Sequence, residues 1–254
     1  MIPSLFSWLT DPANWSGDSG IPNRLIEHLW YAALVVVIAA LIAIPIGLLV
    51  GHTGRGKWLV SLANSVRAVP TLGLLFAVVL WLGPKLSSNL AFLLPSVAVL
   101  VLLAIPPLLA GTYAGIEAVD PAARDAAEGV GMTGWQVLWQ VEFPNALPLL
   151  FSGLRSAVLQ VIATATIAAY VGLGGLGRYL IDGIALGDYP RTAGGAVLVA
   201  ILAVVADSLL ALAQRHLVSP GLTGGRSRNG NRRKDRADEP VATDDSRADV
   251  RNPA

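Results

Sequence analysis

The chain contains no cysteine, and only 14% of its residues are charged and 7% aromatic. Each shortage excludes something. Without cysteine there is no disulfide framework, no thiolate metal site and no cysteine nucleophile. With so few charges, 254 residues do not make an ordinary soluble domain. No basic group precedes Arg24, where Pro3, Pro12, Pro22 and a polar run from Asn14 to Gly20 stand instead. That is not the layout of a cleavable signal peptide, so the first apolar run reads as a retained anchor. No serine, histidine and acid occur with a local nucleophile signature. His28 and His216 flank apolar runs without partners at ligand spacing and read as interfacial anchors. No catalytic residue, no metal site and no cofactor are therefore expected in this chain.

What is present is oil: 54% of residues are apolar and the mean hydropathy is +0.61. Leu29 to Val50 is a run of 22 residues without a charge, about 33 Å as a helix, which matches a hydrocarbon core of about 30 Å. Five such spans are read, at 26–50, 58–82, 90–113, 146–170 and 192–217, each rich in Leu, Val, Ala and Ile. The expected class is thus an all-α, polytopic membrane protein with five transmembrane helices. The second span is the least regular, because Asn64, Arg67 and Pro70 interrupt it and Pro70 removes an intrahelical donor. A kink or break is expected there.

Charge orients the bundle. Arg55 and Lys57 after span one, Arg124 and Arg155 between spans three and four, and Arg215 after span five fall on one side, which should be cytoplasmic. Arg24, Lys85, Arg178 and Arg191 face Asp11, Asp18, Glu27, Asp182 and Asp188 on the other. The expected organisation is an external N-terminal segment at 1–25, a membrane domain at 26–218 and a tail at 219–254, with the N-terminus outside and the C-terminus cytoplasmic. The tail differs in kind: residues 220–254 hold 8 of the 18 Lys+Arg and 6 of the 17 Asp+Glu. Almost without large apolar groups, it cannot offset its ordering entropy and is expected to be disordered. Its basic cluster, Arg226, Arg228, Arg232, Arg233, Lys234 and Arg236, reads as a solvated juxtamembrane segment rather than a nucleic-acid site.

Between spans three and four, residues 117–144 carry the strongest local signals. Asp120 is a helix cap before Pro121, and Gly129 is a stop. Thr133 and Gln136 have capping-box spacing, so a second short helix from Gly134 to Gln140 is expected, ending before Pro144. Ala122 with Ala126, and Ala123 with Ala127, form small-residue stripes that admit a neighbouring backbone, although alanine is also simply the best helix former.

The order Asp125-Ala126-Ala127, three residues, Gly131, nine residues, Val141-Glu142-Phe143-Pro144 resembles the signature loop of ABC importer permeases. That family's pattern is Glu-Ala-Ala, three residues, Gly, nine residues, Ile, any residue, Leu-Pro. Asp125, Val141 and Phe143 are conservative departures. The likeness runs from about Ile26 to Leu217. It is closest to the osmoprotectant branch, in the stretches 119–133, 135–148 and 163–177.

The resemblance implies a MetI-like permease fold and a subunit that hydrolyses nothing itself. Two permease subunits, identical or different, would form the path, with a partner ATPase on each signature loop and an extracytoplasmic substrate-binding protein delivering the solute. The implied home is the lipid bilayer of a bacterial cell membrane, and nucleic acid is not an expected partner. The implied solutes are glycine betaine, choline, carnitine or proline betaine. The alternatives are a permease for another small solute such as an amino acid, or an ATP-independent transporter. The family pattern assigns ATPase coupling to Asp125, Ala126, Ala127, Glu128, Gly131, Met132, Val141 and Pro144. Closure of the ATPases would pull on this loop and re-aim the helices.

For the translocation path, polar or aromatic residues near helix irregularities are the candidates: Asn64, Thr71, Thr164, Thr166 and Tyr170. Asp207 lies inside span five, where an acid must face protein or water; it is either structural or on the path. Two motifs mislead. Gly51, four residues, Gly56-Lys57 is one residue short of a phosphate-binding loop, because Trp58 replaces the hydroxyl that magnesium needs. Gly172, Gly174 and Gly177 match a dinucleotide fingerprint but follow a membrane span, so a flexible external re-entrant or surface turn is expected instead. An ATP-independent transporter would show repeated halves, which five spans do not supply.

Overall fold

A computed structural model describes residues 2–87 and 90–218. The tail expected to be disordered, with its basic cluster, lies outside the described residues. Among them, every regular element is helical.

Helix α1, Ile2–Thr10, is followed by a short 3-10 turn at Pro12–Trp15. Helix α2, Ile21–Thr53, carries Pro22 in its first turn, where a missing N–H costs nothing, and stops at Gly54 with φ 65°. Its 33 residues make about 50 Å of helix. Ala32, Val35, Ala39, Ala43, Gly47 and Val50 are buried along one face, at the three- and four-residue spacing of a helical stripe. The opposite face, with Trp30, Val37, Leu41 and Leu49, is exposed apolar surface, as a lipid-facing helix requires.

Helix α3, Lys57–Val66, and helix α4, Thr71–Leu82, are the expected broken span: Pro70 stands as the cap of α4, and the two parts meet at 90°. Helix α5, Leu90–Glu117, is the centre of the bundle, packed between α2, α4 and helix α8, Phe143–Ala168. Two pairs of glycines let these backbones meet. A Cβ on Gly111 would lie 2.7 Å from the Cα of Gly153 in α8, and one on Gly47 would lie 2.7 Å from Thr112 Cβ in α5. Gly47 with Gly51 and Gly111 with Gly115 each have the four-residue spacing of close-packed membrane helices.

Helix α6, Pro121–Gly129, and helix α7, Gly134–Val137, lie at the end where α2 and α5 finish. Helix α9, Gly177–Leu186, and helix α10, Tyr189–Leu217, complete the chain. Four helical runs are long and apolar enough to cross a membrane, and the bent pair makes a fifth. The five-span expectation thus meets four continuous spans and one broken one.

The N-terminal segment forms α1, whose Trp8 ring packs edge-on against Tyr179, centroids 5.2 Å apart. Two details correct the sequence reading. Arg155, counted with the loop charges, stands inside α8. The second loop helix does not stop before Pro144 but widens into a π turn at Leu138–Glu142, where the Phe143 N–H reaches the Leu138 carbonyl. Pro144 lacks the N–H an α-helix would need and its ring crowds the preceding turn; the wider turn accommodates it, and the helix continues into α8.

Candidate functional site

The loop between α5 and α8 is built from its caps. Asp120 accepts from the Ala122 N–H at 2.9 Å, opening α6. The helix closes through two bonds, Met132 N–H to Ala127 O at 3.1 Å and Gly131 N–H to Glu128 O at 2.9 Å. That double closure requires a left-handed residue, and Gly131 supplies it at φ 89°. Gly129, expected as the stop, is instead the last helical residue. Thr133 and Gln136 form the capping box, with the Thr133 N–H 2.8 Å from Gln136 Oε1.

Of the residues that the family pattern singles out, Asp125, Ala126, Glu128 and Gly131 are exposed, Met132, Val141 and Pro144 are half-buried, and Ala127 is buried. One face of α6 is therefore free to meet a partner, while Ala127 holds the other face down. Val130 and Trp135 beside them are 79% and 65% exposed, an apolar surface on an element that carries charge elsewhere. Beneath the loop, Trp135, Leu138, Trp139 and Phe143 face Ile44, Pro45 and Leu48 of α2 across a cavity of about 360 Å3.

Glu142 fastens the loop to the bundle. Its side chain is 2% exposed, with one carboxylate oxygen 2.6 Å from His52 Nδ1 at the end of α2 and the other 2.8 Å from Arg124 Nε on α6. The Arg124 Nε–H is not aligned for a hydrogen bond, so charge attraction holds that contact, while Arg124 Nη2 donates to the Ile116 carbonyl of α5. Three segments thus converge on one buried carboxylate. Sequence reading had Glu142 only as the variable position of the motif, because no local signal marks a partner 90 residues away. Nearby, Lys57 Nζ lies 2.9 Å from Glu117 Oε1, pinning the turn after α2 to the end of α5. Lys57 has this partner where the near-miss motif would have required a phosphate.

At the opposite end of the bundle the glycine turn follows a 3-10 turn at Ala169–Val171. Gly172 and Gly175 are its left-handed residues, φ 94° and 85°. Of the re-entrant and surface turns expected, the surface form is excluded: Leu173 and Leu176 are 3% and 0% exposed and anchor the turn inward. The Gly175 N–H donates to Glu27 Oε2 at 2.8 Å, and the same oxygen takes Arg24 Nη1 at 2.8 Å.

Other candidates separate. Arg155 makes a two-pronged contact with Asp207, both bonds 2.8 Å, so the acid inside span five is neutralised across α8 and α10. His28 is not an interfacial anchor. It is 1% exposed, and its Nε2 donates to the Ile162 carbonyl at 3.1 Å, tying α2 to α8. The path candidates are not gathered by hydrogen bonding: the Thr164 hydroxyl donates to Gln160 O at 2.8 Å and the Thr166 hydroxyl to Ala163 O. Asn64 and Tyr170 are exposed and Thr71 is half-buried.

The family described as "Binding-protein-dependent transport system inner membrane component" is matched over residues 43–223. The glycine betaine/carnitine/choline transport system permease protein OpuCB of Bacillus subtilis is 33% identical over 78% of this chain and 88% of its own. The osmoprotectant import permease protein OsmW of Salmonella typhimurium is 36% identical over 80% of this chain and 94% of its own. Among solved structures, a chain of the MetNI methionine ABC transporter in an inward-facing conformation has a TM-score of 0.67 at 18% identity, covering 83% of this chain and all of that one. That likeness speaks for the fold. The matched length, the all-helical bundle and the signature loop agree: the chain belongs to the binding-protein-dependent transport system inner membrane components, multi-pass permease subunits of ABC import systems.

Proposed function

We propose that this chain is the permease subunit of an ATP-driven importer for quaternary ammonium osmoprotectants, and that partner ATPases dock on α6 and α7. One observation carries the docking assignment: Gly131 holds a left-handed turn between two capped helices whose outer surface presents Asp125, Ala126, Glu128, Val130 and Trp135. A short, rigid, capped element fixed to the bundle through Glu142 transmits displacement, which an unfastened loop does not. Met132, Val141 and Pro144 seat the element, and Ala127 packs it inward.

The solute class is read from relatives named for glycine betaine, carnitine and choline. The loop end carries Arg55, Lys57, Arg124 and Arg215, so it faces the cytoplasm and the N-terminus lies outside. Two such subunits, alike or different, enclose the path, with an extracytoplasmic binding protein at the glycine-turn end. Asn64, Thr71, Thr164, Thr166 and Tyr170 are the assigned path residues. The chain takes no cofactor of its own.

Reconstitution tests this reading. Vesicles holding the permease with its ATPase and binding protein should take up radiolabelled glycine betaine when ATP is supplied on the loop side. Uptake that persists without the ATPase would overturn the ATP-driven assignment. Active hydrolysis with no uptake of any quaternary ammonium compound would overturn the solute class.

A further inference from the structure

A cavity of about 320 Å3 opens at the glycine-turn end of the bundle, between the starts of α2 and α5. It is at the lower end of the range for small-molecule sites, roughly 300–1,000 Å3. Its chemistry is mixed in an informative way. Two guanidinium groups, Arg24 and Arg178, one carboxylate, Glu27, and two rings, Tyr31 and Phe92, line it together with the glycine turn. Arg24, Glu27 and Tyr31 follow one another at three- and four-residue spacing, so they lie along one face of α2.

The groups are held in place. Glu27 Oε2 accepts from the Gly175 N–H and from Arg24 Nη1, each at 2.8 Å, and Oε1 accepts from the Tyr31 hydroxyl at 3.2 Å. A Cβ on Gly174 would lie 1.9 Å from Glu27 Oε1, so the glycine is what lets the carboxylate occupy this position. Arg178 is braced by Asp182 at 2.6 Å and by the Ala169 carbonyl at 3.3 Å. Phe92 is 50% exposed, a ring left partly uncovered beside Gly172.

We propose that this cavity is a solute site on the permease itself for a zwitterionic quaternary ammonium compound. The methylated cation rests against Phe92 and Tyr31 beside Glu27, and the solute carboxylate turns toward Arg24 and Arg178. Aromatic faces attract a diffuse cation that cannot donate hydrogen bonds, and guanidinium groups bind carboxylates. With Asp182, which pairs with Arg178 and Arg191, counted beside the lining, three positive groups stand against two negative, so a lone cation such as choline meets net repulsion where a betaine brings its own anion. The site therefore selects betaines over choline. This inference rests on the import reading above and adds a site and a preference to it.

The test uses the complete importer in vesicles, with saturating amounts of binding protein loaded with either radiolabelled glycine betaine or choline. Phe92→Ala should lower uptake of both solutes about tenfold, the equivalent of about 1.4 kcal/mol, while Phe92→Trp keeps a ring and retains uptake. Arg178→Gln should lower the ratio of betaine to choline uptake about tenfold, and Arg178→Lys should restore most of it. Co-purification of the ATPase should be unchanged throughout, which separates loss of the site from loss of the fold. If the wild-type importer carries glycine betaine and Phe92→Ala and Arg178→Gln leave rate and ratio unaltered, the site is refuted while the import reading stands. If the wild-type importer carries neither solute, both fall together.

Discussion

The Glu142 carboxylate and the His52 imidazole lie 90 residues apart in sequence and 2.6 Å apart in space. With Arg124 on the other oxygen, this contact joins the loop to α2 and to the root of α8. Taking one partner from a buried ion pair costs about 3 kcal/mol or more, because the charge left behind is desolvated without compensation. Glu142→Gln should therefore lower the melting temperature of the purified subunit and depress uptake. The double variant Arg124→Met with Glu142→Met should be less damaged than the sum of the two single changes. Strict additivity in that cycle would show that the two groups are not coupled.

At Gly131 the backbone sits at φ 89° with nothing within 4 Å of an added Cβ. Any side chain there bears the same left-handed penalty, about 1–2 kcal/mol. Gly131→Ala and Gly131→Leu should therefore melt alike but behave differently with the ATPase. Alanine should preserve most co-purification, and leucine should reduce it at least tenfold by intruding on the docking face. Equal retention in both variants would move the docking surface away from Gly131.

The Arg155–Asp207 pair, whose side chains are 33% and 34% exposed, makes a prediction about charge balance between the spans α8 and α10. Asp207→Asn leaves Arg155 without its partner among apolar helices and should lower both membrane insertion and melting temperature. Replacing both residues with leucine should recover much of the loss, since no charge is then stranded. A double variant worse than either single one would indicate a role for the pair beyond neutralisation.

Where α5 crosses α8, a Cβ on Gly153 would fall 2.6 Å from the Pro107 carbonyl oxygen. Gly153→Ala should force the two helices apart and cost about 1–3 kcal/mol by overpacking. Ser152→Ala, one residue away and exposed, should be neutral in the same melting assay.

What was legible in the residues was what acts locally. Asp120 ahead of Pro121, the Thr133 and Gln136 pair and the break at Pro70 each announce themselves through neighbours in the chain, and each stands where the pattern puts it. Long apolar runs likewise give the spans. Legibility ends where the partner is remote. Glu142, His28 and Asp207 each owe their role to a group on another helix, and nothing within a few residues of them encodes it. The π turn was missed for a related reason: Pro144 predicts that an α-helix cannot continue unchanged, but not whether it ends or widens. The paired glycines of α2 and α5 are visible as spacing, yet only the facing helix says which side is approached.

The widened turn at Leu138–Glu142 has a mechanical consequence. Because the chain does not break there, residues 134–171 are one helical run of 38 residues, about 57 Å from end to end. One end is the loop surface around Trp135, and the other reaches Gly172, where the left-handed glycine ends the rod. Gly153 stands near the middle of this run, so a rod pivoting at the Gly111–Gly153 crossing is a lever with two nearly equal arms, each about 28 Å. If partner closure displaces the loop, such a rod would carry the displacement, reversed in direction, to the turn that holds Leu173 and the Gly175 bond to Glu27.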